Sequence, residues 1–231
     1  MTEERSRVFI LVGIIALVAL AIIGIVVAIL AGPDPSTGPG QVEKGLSFSD
    51  DADPAQGPGE AKVIVRMFSD FQCPACQAAG PALQAIMKKY ADRVRFVWND
   101  FPLITIHQNA LAASNVARCA EEQGKFWEMH DVLYARQRSW SDLAAPTSEF
   151  VKYAQEVGLN EGAFTTCFAG NRHVRKIDND RAEGTRNNVR ATPTFFINNR
   201  RIEGVVTEAQ WEQAIEAELS ATSSTAATPA S

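Results

Sequence analysis

The sequence contains few of the residues that usually hold metals. Its 231 residues include four cysteines and three histidines. No second C-x-x-C accompanies Cys73 and Cys76, and His107, His130 and His173 show no ligand spacing between them. Structural zinc sites commonly need two such pairs. We therefore predict no metal site and interpret the histidines as caps or core polar groups.

Positive charge is also scarce. The formal net charge is −5, and no Lys or Arg occurs between Arg7 and Lys44. Nucleic-acid-binding domains usually carry a basic stripe or patch. This acidic chain has no such stripe, which argues against a nucleic acid as partner.

Polar side chains are missing from one long stretch, Val8 to Ala31. These 24 residues contain no charge, amide or hydroxyl, and as a helix they would span about 36 Å. A cleavable signal has an apolar region of about 7–15 residues and a small-residue cleavage site. Here the run is longer, and Ile29 and Leu30 are bulky. The stretch predicts an uncleaved transmembrane signal-anchor over residues 8–31, with a cleaved signal as the alternative.

The charges beside this stretch predict its orientation. Arg5 and Arg7 precede it, and positive residues tend to stay on the cytoplasmic side. We expect a single-pass protein of the cell membrane with residues 1–7 cytoplasmic. Everything after Gly32 would be extracytoplasmic.

Composition divides the remaining chain into three parts. Residues 32–60 are rich in Gly, Pro, Ser and Asp, which predicts a flexible tether, although Leu46–Phe48 could add a short edge strand. Residues 220–231 are nearly all Ala, Ser and Thr, and they predict a disordered tail. The folded domain is expected over residues 61–219.

The apolar pattern of that domain predicts β-α-β, a helical block, and then β-β-α. The helical insertion is expected at about residues 104–187. The predicted strands and terminal helices are strand Val63–Phe68, a helix from Pro74 towards Tyr90, strand Val94–Trp98, strand Thr194–Ile197, a partner strand around Ile202, and helix Thr207–Leu219.

The C-x-x-C opens the first of these helices. Proline is favoured at the first helical position, so Pro74 places Cys73 at the N-cap and Cys76 on the same side of the first turn. Free N–H groups and the helix dipole there favour a thiolate, and cysteines so placed titrate at roughly pH 3.5–7.5. Cys73 is the candidate attacking sulfur and Cys76 the resolving one. The motif alone also fits half a zinc site or a structural bridge.

Cys119 and Cys167 form the second cysteine pair. Each is predicted on a helix among apolar neighbours, so they could be two buried free thiols. Because disulfides persist outside the cytoplasm, we hypothesise a structural Cys119–Cys167 bridge, which the loop-entropy estimate values at about 4 kcal/mol. Asp70, three residues before Cys73, could act as a proton acceptor or cap the loop.

Several segments resemble one known family, the DsbA-like thiol:disulfide oxidoreductases, and specifically their membrane-anchored bacterial branch. The matching segments are Phe68-Ser69-Asp70-Phe71-Gln72-Cys73-Pro74-Ala75-Cys76, Asp100-Phe101-Pro102-Leu103, Gly124-Lys125-Phe126-Trp127, Thr192-Pro193-Thr194-Phe195-Phe196 and Asn199 to Gly204. The resemblance implies an α/β thioredoxin fold with a helical insertion.

The resemblance also implies roles for individual residues. Cys73 matches the nucleophile and Cys76 its resolving partner. Thr192-Pro193 matches a loop whose cis proline faces the cysteines and whose backbone pairs with an extended substrate; without the match, Pro193 could be a trans proline at a strand start. Ala75 departs from the histidine of the best-known member, which leaves the redox direction open.

These features predict an extracytoplasmic oxidoreductase that introduces or exchanges disulfides in secreted or membrane proteins, with oxidase activity favoured. No organic cofactor or metal is needed, because the cysteine pair is the redox unit. The family implies a membrane quinone-linked partner that reoxidises the pair. The alternatives are a reductase or isomerase, for example in cytochrome c maturation, and a metal-thiolate carrier of Cu(I) or Zn(II).

Overall fold

The computed structural model describes residues 40–49 and 53–225. After two additional short strands, the elements follow the predicted order of β-α-β, a helical block and β-β-α. The strands are β1 (Gln41–Val42), β2 (Ala55–Gln56), β3 (Val63–Ser69), β4 (Val94–Asp100), β5 (Thr194–Ile197) and β6 (Arg200–Glu203). The helices are α1 (Pro74–Lys89), α2 (Ala110–Glu121), α3 (Phe126–Ala135), α4 (Gln137–Trp140), α5 (Thr147–Glu156), α6 (Glu161–Ala169), α7 (Val174–Arg186) and α8 (Glu208–Thr225).

The strands form one mixed sheet in the order β1-β6-β5-β3-β4-β2. Only the β3–β4 pair is parallel among the described strands, and α1 connects these two strands. β5 pairs antiparallel with β3 and brings Thr194 opposite Phe68. Parallel strands joined by a helix place their carboxyl ends at one sheet edge, so the loops after β3 and β4 lie together.

Side chains of β3 alternate between two apolar clusters. Val65 and Met67 belong to the main core with α1, α8 and the helical insertion, whereas Phe68 belongs to a smaller cluster with Phe101 and Phe196. Successive residues of a strand point to opposite faces of the sheet. β3 is therefore buried on both sides and forms the centre of the fold.

The helical insertion comprises α2 to α7 and lies between β4 and β5, close to the predicted range 104–187. A disulfide joins Cys119 on α2 to Cys167 on α6, with the two Cα atoms 5.8 Å apart. The hypothesised bridge is therefore present. It closes a 48-residue separation inside the insertion, and by loop entropy it stabilises the fold by about 4 kcal/mol.

The structure differs from the expected tether within residues 40–49 and 53–60. β1 pairs with β6 and β2 pairs with β4, so these short strands cover both edges of the sheet. The segment Leu46–Phe48 forms no strand; Leu46 and Phe48 instead pack against the smaller cluster. Apolar contact, rather than strand pairing, holds this segment.

The C-terminal helix also extends beyond its predicted end. α8 continues to Thr225, past Leu219 and into the expected tail. The hydroxyl of Thr222 donates to the carbonyl oxygen of Glu218 one turn earlier. Hydroxyl side chains, which led to the prediction of a disordered tail, are therefore accommodated within this helix.

No helix among the described residues is both long and apolar enough to cross a membrane. The predicted anchor at residues 8–31 lies outside the described residues, as do residues 1–7, 32–39, 50–52 and 226–231.

Candidate active site

Cys73 and Cys76 lie at the start of α1, where β3 ends and the chain turns. Cys73 is the N-cap with extended backbone angles, and Pro74 occupies the first helical position. The Cys73 N–H donates to the carbonyl oxygen of Asp70 at 3.1 Å, which closes the turn between strand and helix. The N-cap position of Cys73, predicted from Pro74, is therefore confirmed. Both cysteines are reduced and buried in this structure.

The Thr192–Pro193 loop faces this turn from the other end of the chain. The Thr192–Pro193 peptide bond is cis, as the resemblance implied. The Cys73 sulfur lies 3.4 Å from the carbonyl oxygen of Thr192, to which its thiol donates. Strand pairing of β5 with β3 brings this loop to the cysteines although 119 residues separate Cys73 from Thr192.

Hydrogen bonds favour the thiolate of Cys73. They lower its pKa to about 5, first through the Cys76 side chain and then through the backbone N–H groups of Cys76 and Ala75. Burial opposes the shift. The sequence predicted a low pKa from the helix N-terminus; here the neighbouring thiol contributes more than those N–H groups do.

Cys76 has the opposite tendency. Burial raises its pKa well above the ordinary value, and the nearby Cys73 raises it further. The Ser69 side chain and a backbone group of Asp70 oppose this shift by hydrogen bonding. One sulfur is thus stabilised as a thiolate and the other as a thiol, which suits an attacking and a resolving cysteine.

Asp70 fixes the turn before Cys73. Its buried carboxylate accepts hydrogen bonds from the backbone N–H of Gln72 at 2.7 Å and of Leu103 at 2.8 Å. It also lies 2.7 Å from Nδ1 of His107. Of the two roles considered for Asp70, loop capping matches this geometry. His107 is bonded to a cap, in line with its interpretation as a polar structural group.

Residues of the insertion hold the active-site loop from outside, and sequence analysis did not single them out. Gln137 donates through Nε2 to the carbonyl oxygens of Phe71 and Cys73, at 2.7 and 3.0 Å. Gln72 accepts from the Asn109 N–H at 2.7 Å. The only signal in the sequence was the presence of amides within an otherwise helical block, and that does not identify a partner.

The other histidines have structural partners. His130 lies among aromatic rings and pairs with Asp131, and His173 pairs with Glu122. Cys119, Cys167 and His173 lie close enough to suggest ligands for a metal ion. The two sulfurs, however, are already bonded to each other, so this group lacks the thiolates that a metal would need.

Comparison with known proteins assigns a family. A family model described as "Thioredoxin" matches residues 49–217. Among curated proteins, Na(+)/H(+) antiporter NhaA 3 of Salinispora tropica is 39% identical over 154 residues, which cover 67% of this chain and 23% of that protein. Na(+)/H(+) antiporter NhaA 1 of Mycolicibacterium vanbaalenii is 28% identical over 173 residues, covering 72% of this chain and 27% of that protein. The chain spans about a quarter of the length of these relatives.

Two solved structures illustrate the shared fold. BdbD from Bacillus subtilis superposes with a TM-score of 0.67 at 18% identity, covering 79% of this chain and 98% of that one. The thiol-disulfide exchange protein α-DsbA2 from Wolbachia pipientis gives a TM-score of 0.63 at 18% identity, covering 72% and 87%. The resemblance to DsbA-like proteins is thereby confirmed at the level of the fold. With a family model covering most of its length, the chain belongs to the thioredoxin family and has the fold of its DsbA-like members.

Proposed function

We propose that this protein is an extracytoplasmic thiol:disulfide oxidoreductase that introduces or exchanges disulfides in secreted or membrane proteins. The observation that carries the proposal is the position of Cys73 and Cys76 in the first turn of one helix, with the carbonyl oxygen of Thr192 in the cis-proline loop 3.4 Å from the Cys73 sulfur. A substrate thiolate attacks the sulfur of Cys73 in the oxidised pair, and Cys76 leaves as a thiolate. A second substrate thiol then displaces Cys73 and completes the substrate disulfide.

The Thr192–Pro193 loop is the proposed docking site for the substrate. Its carbonyl lies beside the Cys73 sulfur, so an extended chain paired with this loop would bring its own sulfur near Cys73. The redox unit needs no organic cofactor or metal, since the electrons pass between sulfurs. A membrane quinone-linked partner is proposed to reoxidise the pair.

The apolar run at residues 8–31 supports the proposed location. It would anchor the chain in the cell membrane with the N-terminus cytoplasmic and the catalytic domain outside. The Cys119–Cys167 disulfide also favours an oxidising compartment, because such bridges persist outside the cytoplasm.

Trapping of mixed disulfides tests both exchange and location. In Cys76→Ser, the Cys73 thiolate can still attack a substrate disulfide and form a mixed disulfide, with one substrate sulfur leaving as a thiolate. The Cys76 thiol that would release this substrate is absent, so the full-length variant should accumulate mixed disulfides in cells. Their partners, identified after non-reducing separation, should be secreted or membrane proteins. Cys73→Ser is the matched control and should trap nothing. Trapping that persists without Cys73 would refute the proposed nucleophile, and mainly cytoplasmic partners would refute the location.

The reduction potential decides between oxidase and reductase. A value near about −120 mV favours the oxidase, whereas one near about −270 mV favours a reductase or isomerase. Metal content of the reduced protein tests the carrier of Cu(I) or Zn(II), which would retain stoichiometric metal through gel filtration.

A further inference from the structure

Two hydroxyl side chains, Ser69 and Tyr134, lie in a row with the buried sulfur of Cys76. Ser69, the last residue of β3, lines the same cavity as that sulfur, and hydrogen bonding by its side chain lowers the pKa of the Cys76 thiol. The Ser69 Oγ is 2.9 Å from Oη of Tyr134 on α3. Cys76, Ser69 and Tyr134 also line the same cavity of about 400 Å³ between α1, α3 and the sheet.

The hydroxyl protons in this row can be assigned. Tyr134 has a single hydroxyl proton and donates it to the carbonyl oxygen of Asp70 at 3.2 Å. The Tyr134 oxygen can therefore accept a hydrogen bond from the Ser69 hydroxyl. Burial raises the pKa of Tyr134 well above its ordinary value, so this side chain stays a phenol.

Ser69 also has only one hydroxyl proton, but it has two acceptors. While Cys76 is a thiol, the serine can donate to Tyr134. Once Cys76 is a thiolate, rotation of the hydroxyl about a single bond lets it donate to the sulfur instead. A hydrogen bond to a charged group is worth more than one to a neutral group, so the charge on sulfur decides the direction.

We propose that Ser69 is a catalytic residue that stabilises the Cys76 thiolate by turning its hydroxyl from Tyr134 to the sulfur. Tyr134 is a positioning residue that holds the hydroxyl while Cys76 is a thiol. This inference rests on the proposed function, to which it adds the group that assists the leaving sulfur.

The step balances as ordinary disulfide exchange. The substrate thiolate forms a bond to the Cys73 sulfur, the Cys73–Cys76 bond breaks, and Cys76 leaves with the electron pair. Ser69 donates a hydrogen bond to the new thiolate, which later takes a proton from water. A leaving thiolate of lower pKa departs faster, so the serine should accelerate attack on the oxidised pair.

The first test titrates Cys76 alone. In the full-length Cys73→Ser background, thiolate absorbance gives the titration midpoint of Cys76. Adding Ser69→Ala should raise the midpoint by about one pH unit or more, because a hydrogen bond to a charged group is lost. Ser69→Thr keeps a hydroxyl and should restore the midpoint. Ser114→Ala, which removes a buried serine hydroxyl on α2, is the matched control and should leave it unchanged.

Tyr134→Phe should shift the titration midpoint of Cys76 in the opposite direction from Ser69→Ala. It removes the competing acceptor, so Ser69 should donate to sulfur more often and the midpoint of Cys76 should fall. Tyr153→Phe, at a buried tyrosine on α5, is its control. If Ser69→Ala and Tyr134→Phe move the midpoint in the same direction, or Ser69→Ala leaves it in place, the switch is refuted.

The second test measures exchange in the chain with both cysteines. Reduction of the oxidised protein by glutathione should be about threefold or more slower in Ser69→Ala, because only part of the change in leaving-group pKa appears in the rate, with the alkylation midpoint of Cys73 unchanged. If the wild-type protein does not exchange disulfides with thiols, the proposed function is refuted, and the titration of Cys76 still tests the role of Ser69. If the wild-type protein exchanges and Ser69→Ala leaves its rate unchanged, only the inference about Ser69 is refuted.

Discussion

The two active-site sulfurs differ because each occupies a different local environment. Cys73 receives hydrogen bonds from Cys76 and from N–H groups at the start of α1 that have no partner inside the helix. Cys76, one turn deeper, loses contact with water instead. Hydrogen bonding outweighs burial at the first sulfur, and burial outweighs hydrogen bonding at the second.

This asymmetry predicts how the reduction potential depends on pH. Each proton taken up with the two electrons contributes about 30 mV per pH unit. Below the Cys73 pKa of about 5, reduction takes up two protons. Above it, Cys73 remains a thiolate and only Cys76 takes one. The slope should therefore fall from about 60 to about 30 mV per unit near pH 5.

Equilibration with glutathione buffers between pH 4 and 8 measures this slope. Dithiothreitol, whose thiols titrate like ordinary ones, is the control and keeps the steeper slope through this range. A constant steep slope for the protein would mean that Cys73 titrates like a free cysteine, and the proposed thiolate nucleophile would then fail.

At the scale of elements, α7 packs unusually close to the sheet. A Cβ on Gly184 would lie 2.7 Å from the ring of Phe101 and 2.9 Å from that of Phe68. Both rings belong to the smaller apolar cluster, and their flanking elements hold them in place. Because Gly184 has no side chain, α7 can pack directly against the strands that precede the active-site loops.

Gly184→Ala should therefore destabilise the protein. Alanine gains about 1 kcal/mol in helix propensity, but overpacking a filled core costs about 1–3 kcal/mol. Both rings are confined, so we expect the packing cost to prevail and the urea midpoint of unfolding to fall. Gly162→Ala on α6 is the matched control, since its new Cβ meets only Asn160 at 3.5 Å. A gain in stability at position 184 would contradict the close packing.

At the scale of the whole molecule, a buried charge cluster joins the insertion to the sheet. Arg118 on α2 contacts Asp100 at 2.6 Å, Asp180 at 2.7 Å and Asp53 at 2.9 Å. Lys176 on α7 pairs with both Asp53 and Asp180. Three buried carboxylates thus face two cations, with half-buried Glu121 at the edge. The cluster ties four separate parts of the chain together.

The excess of carboxylates affects Asp180. Burial, followed by repulsion from Asp100 and Asp53, raises its pKa to about 7, although Arg118 and Lys176 oppose the shift. An aspartate in an unfolded chain titrates at about 3.9. Between these values the folded state binds more protons than the unfolded state. The stability that this group contributes is complete below about pH 4 and is lost as the pH rises to 7.

Asp180→Asn should remove this pH dependence. A single group can change the free energy of unfolding by at most about 1.4 kcal/mol per pH unit. Urea unfolding of the full-length chain at pH 5, 6, 7 and 8 should show a weaker decline for the variant than for wild type. Asp178→Asn, at an exposed residue of the same helix, should keep the wild-type decline. An unchanged slope in Asp180→Asn would exclude Asp180 as the responsible group.

Local chemistry explains why part of this protein could be predicted without coordinates. Pro74 determines where α1 begins, so the places of Cys73 and Cys76 in its first turn follow from the local sequence. The order of apolar runs likewise predicted the β-α-β and β-β-α units around an insertion. These features depend on contacts within a few residues or on periodicity, both of which can be read from the chain itself.

Only the tertiary structure decided which distant residues meet. Ser69 and Tyr134 are 65 positions apart, and Asp53 and Arg118 are also 65 apart. No periodicity links such residues, because sheet pairing and helix packing set their distance. The sequence by itself thus determined which sulfur begins the helix. Folding decided which hydroxyl accompanies the second sulfur and which charges are buried together, since long-range contacts form only when the whole core assembles.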